Sequence, residues 1–117
     1  MDVTILERYG RVRIAQIVAY FYRDVLRSSV LGHYFHDVSM SGLVDHQAQF
    51  MEAVMGGPAM FTNEQIAIAH RHLGVTDQDF DEMIRLLEMN LRRFEVTTED
   101  ADEVLAGYRA LKGQIVE

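Results

Sequence analysis

The sequence predicts an all-α fold, and three observations carry the prediction. Apolar residues recur three and four positions apart over segments of helix length, which places them on one helical face. Several of those segments open on a Ser or Thr followed three residues later by an acidic or amide residue, a helix-start signal. The single Pro and the scattered Gly act as punctuation. No alternating strand pattern, internal repeat or low-complexity segment competes with this reading.

The elements follow in order. Thr4-Ile5-Leu6-Glu7 is a capping box that starts a short helix, and Gly10 closes it. A longer helix runs from about Val12 to Ser28, with Ile14, Val18, Phe21 and Val25 on one face. A short turn of helix covers Val30 to Phe35. The loop His36-Asp37-Val38-Ser39 leads to Ser41 as the expected N-cap of a helix from about Gly42 to Met55. Leu43, Gln47, Phe50, Met51 and Val54 share its apolar face, and Gly56-Gly57-Pro58 ends it. After Ala59-Met60-Phe61, a second box at Thr62-Asn63-Glu64-Gln65 opens a short helix expected to span Glu64 to His72. Thr76-Asp77-Gln78-Asp79 opens the next helix, striped by Phe80, Met83, Ile84, Leu87, Leu91 and Phe94. Thr97 with Asp100 opens the last, striped by Val104, Tyr108, Leu111 and Ile115.

Size and charge narrow the function. The 117 residues suit one domain spanning 1–117. Acidic residues outnumber basic ones by 18 to 11, a net charge of −7, which argues against nucleic acid as a main partner. The chain has no Cys, which excludes disulfides, zinc–thiolate sites and thiol nucleophiles. The N-terminus lacks a signal-peptide pattern, and no apolar run approaches the roughly 18–20 residues of a membrane span. A cytoplasmic globular protein is expected.

Three polar residues interrupt the apolar faces. A buried polar group costs free energy unless it is hydrogen-bonded, so each needs a reason. Gln47 lies mid-stripe between Leu43 and Phe50, where a helix-edge amide reaching water would be the bland account. Tyr22 follows Phe21, where an amphipathic core tyrosine would serve. His70 lies on the short helix after the Gly-Gly-Pro break, with Ile66 and Ala69 on its inward side. It fits a hydrogen-bonded core histidine, and it also fits a neutral imidazole held for haem iron. His46, beside Gln47, is a second candidate or a surface residue. His70 and His72 are two apart and do not share a helix face, which argues against a zinc pair. No nucleophile elbow, P-loop, dinucleotide fingerprint, EF-hand loop or metalloprotease helix motif is present. The acidic pairs Asp77/Asp79 and Glu99/Asp100 sit at helix starts, as capping requires.

Taken together, these features resemble a known family. Tyr-Phe-Tyr at 20–22, Tyr34-Phe35, His46-Gln47 with Phe50, Gly56-Gly57-Pro58, Ala69-His70-Arg71-His72-Leu73-Gly74-Val75 and Thr76-Asp77-Gln78-Asp79-Phe80 follow the order and spacing of group I truncated haemoglobins. The resemblance covers about Ile5 to Ile115. The Gly-Gly-Pro break before the His-bearing helix is its most specific element. It implies a two-over-two helical sandwich enclosing haem b, iron protoporphyrin IX. It makes His70 the proximal iron ligand, and Phe35 the phenylalanine packed on the haem face. Tyr22 and Gln47 become the distal pair that hydrogen-bonds a ligand on the iron, with the apolar Leu43 one turn before Gln47. Phe50, Met51, Phe61, Ile66, Val75, Phe80 and Met83 would line the pocket or a ligand tunnel. At the position of His46, some members place a histidine that ligates iron as a sixth ligand, and others a contact to a haem propionate. The sequence departs from the family in having Gly10-Arg11 where Gly-Gly is usual. It has no histidine beyond the last helix, so covalent haem attachment there is not expected.

The implied function is binding of dioxygen, nitric oxide, carbon monoxide or similar diatomic ligands, with nitric oxide dioxygenase or reactive-nitrogen chemistry supported by an unidentified reductase. A bis-His resting state would point instead to electron transfer or to redox or ligand sensing. A haem-free helical interaction module is the competing class.

Overall fold

The structure is a computed structural model that describes residues 3–117, so Met1 and Asp2 lie outside the described residues. Its elements are α1 (Ile5–Arg27), a 3-10 turn (Gly32–Phe35), α2 (Met40–Val54), α3 (Asn63–His70), α4 (Asp77–Arg93), α5 (Thr98–Arg109) and α6 (Lys112–Ile115). No strand occurs among the described residues.

The predicted starts form where a hydroxyl meets a backbone N–H three residues on. Thr62 Oγ1 accepts from Gln65 N at 3.1 Å, and Gln65 Oε1 accepts from Thr62 N at 2.9 Å, which completes a capping box. Thr76 and Asp79 make the same reciprocal pair at 3.1 and 3.2 Å. Thr97 caps α5 through Asp100 N at 3.2 Å, but the Asp100 carboxylate turns away to Arg8 and Tyr9. Gly10 ends the first helical run as expected, and a second run follows within the Ile5–Arg27 span. Gly10 breaks α1 with a left-handed φ of 79°, and nothing would lie within 4 Å of a Cβ there. One glycine suffices for this turn, so Arg11 is free to pair with Glu52 of α2.

Three boundaries differ from expectation. The N-cap of α2 is Ser39, not Ser41, because Ser39 already has extended backbone and its carbonyl accepts from Leu43 N. Helix α3 stops at His70, since Arg71 is extended and His72 takes a φ of 70°. The last helix is interrupted after Arg109, and the short α6 completes it.

Three helix contacts build the frame: α1 packs on α2 and on α4, and α4 packs on α5. The core holds Ile14, Ile17, Val18 and Val25 of α1, Met51 and Met55 around the end of α2, Leu87 and Leu91 of α4, and Val104 and Leu105 of α5. Asn90 is fully buried and satisfied: its amide nitrogen donates to Asp24 at 3.0 Å and to Leu86 O at 2.9 Å. The Gly56-Gly57-Pro58 break lets the chain return tightly. Leu6 N donates to Met55 O at 2.9 Å, and a Cβ at Gly56 would meet Thr4 at 2.8 Å. Helix α3 stands apart from this frame and packs on α6.

Candidate functional site

A cavity of about 570 Å³ opens between the α1–α2–α4 frame and the α3–α6 pair. Its walls explain an otherwise odd burial pattern. On α2 only Met51 is buried, while Leu43, Gln47 and Phe50 of the same face are half-buried. That face looks into the cavity over most of its length rather than onto packed side chains.

Every candidate site residue lies on this one cavity: Tyr22, Phe35, Leu43, His46, Gln47, Phe50, Phe61, Ile66, His70, Val75, Phe80 and Met83. Helix α1 brings Tyr22, whose ring meets Phe35 edge-on at 5.8 Å. Helix α2 brings Leu43, His46, Gln47 and Phe50, and α3 brings Ile66 and His70. Phe61 stands against both His46, at 5.0 Å between ring centres, and Phe50, at 6.3 Å. His46 is exposed, which puts it at the rim.

His70 is the most constrained polar group. Its Nδ1 lies 2.7 Å from the Ile66 carbonyl, so Nδ1 carries the proton and donates there. The lone pair is then on Nε2, which makes no hydrogen bond among the described residues. An imidazole fixed in this tautomer by a carbonyl is prepared to ligate a metal. The cluster chemistry of other metal sites is missing: among the described residues no group of three or more His, Cys, Asp or Glu could hold an ion.

Four further polar residues on the cavity carry no site role in the sequence reading: Tyr34, Gln65, Asp79 and Tyr108. Tyr34 donates to Asp79 Oδ2 at 2.5 Å, tying the 3-10 turn to the start of α4. Burial, reinforced by that bond, pushes the Tyr34 phenol up to about 12, and the same bond holds the Asp79 carboxyl below its usual range. Tyr22 and Tyr108 are raised further, chiefly by burial. By sequence Tyr108 is a stripe residue of the last helix, because a tyrosine at helical spacing looks like core. The available signal was its place on a stripe with Leu111 and Ile115, both of which also face the cavity.

The walls fit a large, mostly apolar cofactor. The volume lies within the range of small-molecule and cofactor pockets, roughly 300–1,000 Å³, and the lining is apolar with a few convergent polar groups. One neutral imidazole with a free Nε2 matches single axial ligation of haem iron.

The known proteins agree. The chain is 27% identical over 95 residues to a group 1 truncated haemoglobin of Tetrahymena thermophila, covering 80% of this chain and 78% of that protein. It is also 27% identical over 106 residues to the group 1 truncated haemoglobin GlbN of Mycolicibacterium paratuberculosis, covering 91% of this chain and 78% of that one. In fold it is similar to the Fe(III) form of truncated haemoglobin from Tetrahymena pyriformis, with a TM-score of 0.88 and 23% identity over 97% of this chain and 98% of that chain. A group II truncated haemoglobin from Bacillus anthracis shares the fold at a TM-score of 0.87 and 20% identity, covering 100% and 93% of the two chains. The family model of bacterial-like globins matches residues 4–117. The chain therefore belongs to the bacterial-like globin family, as a truncated haemoglobin of two-over-two fold whose cofactor is haem.

Proposed function

We propose that the single domain 1–117 holds haem through His70 and retains dioxygen, nitric oxide or carbon monoxide beside Tyr22 and Gln47, with nitric oxide dioxygenation as its reaction. One observation carries the reading: the Nδ1 bond of His70 to Ile66 O at 2.7 Å leaves Nε2 available on the same cavity that receives Tyr22 and Gln47. When bound, haem supplies the diatomic-binding iron and the electron by which nitric oxide and dioxygen become nitrate, an electron that a separate, unidentified reductase must return.

The chain's own residues do the rest. His70 anchors the cofactor, and its bond to Ile66 O raises the basicity of Nε2. The apolar residues Leu43, Phe50, Phe61, Phe80 and Met83 keep water out, which strengthens each polar contact inside. The Tyr22 hydroxyl and the Gln47 amide donate to the charge that builds on a reduced diatomic guest, each bond worth about 1–3 kcal/mol in a dry site. No helix among the described residues is long and apolar enough to cross a membrane, and the proposal places the protein in the cytoplasm.

A rim role for His46 is supported by its exposure and by its ring lying against Phe61. It would there contact a haem propionate. That it shares the cavity with His70 favours a second reading: a bis-His state serving electron transfer or redox and ligand sensing.

The deciding experiment is the ultraviolet–visible spectrum of the hemin-loaded protein, ferric and then dithionite-reduced. A Soret band with high-spin ferric and five-coordinate ferrous bands is expected. Low-spin bands in both states, lost in His46→Ala, would establish the bis-His reading instead. A colourless protein that ignores hemin would leave a haem-free interaction module and defeat both.

A further inference from the structure

Two tyrosine hydroxyls share the cavity without partners. Tyr22 comes from α1 and Tyr108 from α5, and both side chains line the cavity. Among the described residues neither Oη makes a hydrogen bond, and neither is sealed in by protein, so each opens on the cavity space. Of the other three phenols, Tyr9 donates to Asp100 at 2.7 Å and Tyr34 to Asp79 at 2.5 Å, while Tyr20 is exposed. Two hydroxyls without protein partners that open on one mostly apolar space favour a polar guest between them.

Tyr108 is also held firmly. Its ring meets Phe50 edge-on at 5.5 Å. Its neighbour Gly107 lets α5 approach α2 closely, since a Cβ there would lie 2.9 Å from Val54 Cγ1. Phe50 is one turn beyond Gln47 on α2, so the Phe50–Tyr108 pair brings the α5 phenol to the same wall as the Gln47 amide. The two phenols also influence each other: the nearness of Tyr22 adds to the burial that raises Tyr108. A pair that resists ionisation keeps both protons and remains a pair of donors.

We propose that Tyr108 is a third hydrogen-bond donor to the diatomic guest, acting with Tyr22 and Gln47. This rests on the haem reading above and extends it to a residue on α5. The ligand class is a diatomic molecule with a partly negative terminal oxygen, which can accept from two phenols at once. Tyr108 is then a specificity-determining residue, favouring polarised dioxygen over carbon monoxide.

The test compares wild type, Tyr22→Phe, Tyr108→Phe and the double variant, all hemin-loaded. The readouts are the dioxygen dissociation rate, the infrared C–O stretch of the carbon monoxide adduct, and thermal unfolding. Tyr108→Phe is expected to speed dioxygen dissociation by about three- to tenfold, the worth of one lost donor. The C–O stretch is expected to move to higher wavenumber, because a donor proton near the ligand oxygen lowers it. Thermal unfolding should hold, since Tyr108→Phe removes a hydroxyl with no protein partner while keeping the ring on Phe50. An unchanged rate and stretch in Tyr108→Phe, with Tyr22→Phe changing both, would overturn the role of Tyr108 alone. A clear loss of thermal stability in Tyr108→Phe would overturn it too, by showing that the hydroxyl has a structural partner. Failure of the wild type to show a Soret band would defeat the underlying haem reading instead.

Discussion

His70 concentrates the function in one side chain. Its Nδ1 bond to Ile66 O is local, because the acceptor is the carbonyl one turn back on the same helix. The ring is therefore oriented before any ligand arrives, and little entropy remains to be lost on binding. His70→Ala should lose hemin on gel filtration, and added imidazole should restore the Soret band. Full hemin retention by His70→Ala, with an unchanged spectrum, would mean that another residue, with His46 the nearest candidate, holds the iron. On the other wall, Tyr22 donates into a dry site, where one hydrogen bond is worth about 1.4 kcal/mol or more. Tyr22→Phe should then raise the dioxygen dissociation rate about tenfold, measured by stopped-flow mixing, and no change would remove Tyr22 from the distal role. Such residues are legible in a sequence because a polar group on an apolar stripe is expensive and so conspicuous. Tyr108 was not, since its stripe on α5 has the same period whether it faces packed core or a cavity. Tyr34 was hidden for another reason: its partner Asp79 lies 45 residues away.

At the scale of elements, the helix starts were readable because their chemistry is local. The boxes at Thr62 and Thr76 close within three residues, and α3 and α4 begin there. The ends were harder. The break between α5 and α6 carries no Gly or Pro, and Tyr108, Leu111 and Ile115 hold one apolar spacing across it. Long-range ties were invisible. Asp100 reads as a simple capping residue, yet its carboxylate accepts from Arg8 at 2.6 Å and from Tyr9 at 2.7 Å, joining the start of α5 to the segment before the Gly10 break. The Arg8 bond, and then the Tyr9 bond, hold the Asp100 carboxyl below its ordinary value of 3.8. A carboxyl lowered in the folded state stabilises it above the unfolded value, and that contribution disappears as pH falls through the folded value. Asp100→Asn should therefore unfold at a lower temperature than wild type at pH 7. The two should converge as the pH drops below about 3.8. A gap in melting temperature, read by circular dichroism, that stays constant down to the lowest pH would show that the Asp100 charge is not its source.

For the whole molecule, the fold class was legible from periodicity, while the arrangement around a cavity came only through the family resemblance, since stripes do not say what they face. That arrangement divides the chain into unequal halves. The buried cluster is built almost entirely from α1, α4 and α5 with the end of α2, whereas Ile66 is the one buried residue of α3, and α6 has none. Helix α3, which carries His70, is thus secured mainly by α6 and by whatever fills the cavity between it and the frame. Elements with few buried apolar contacts open locally at low free-energy cost. Hemin, which binds the folded state, should lend stability where the fold has least. At a free concentration a thousand times its Kd it adds about 4 kcal/mol, enough to raise Tm by roughly 10–20 °C in a domain of this size. The gain should be uneven. In hydrogen-exchange mass spectrometry, peptides covering residues 61–76 and 110–117 should exchange fast in the apoprotein and slow sharply on hemin addition. Peptides from the centre of α1 and from α4 should change little. Uniform protection along the chain would contradict this division, because it would mean that α3 and α6 are already as firmly held as the core.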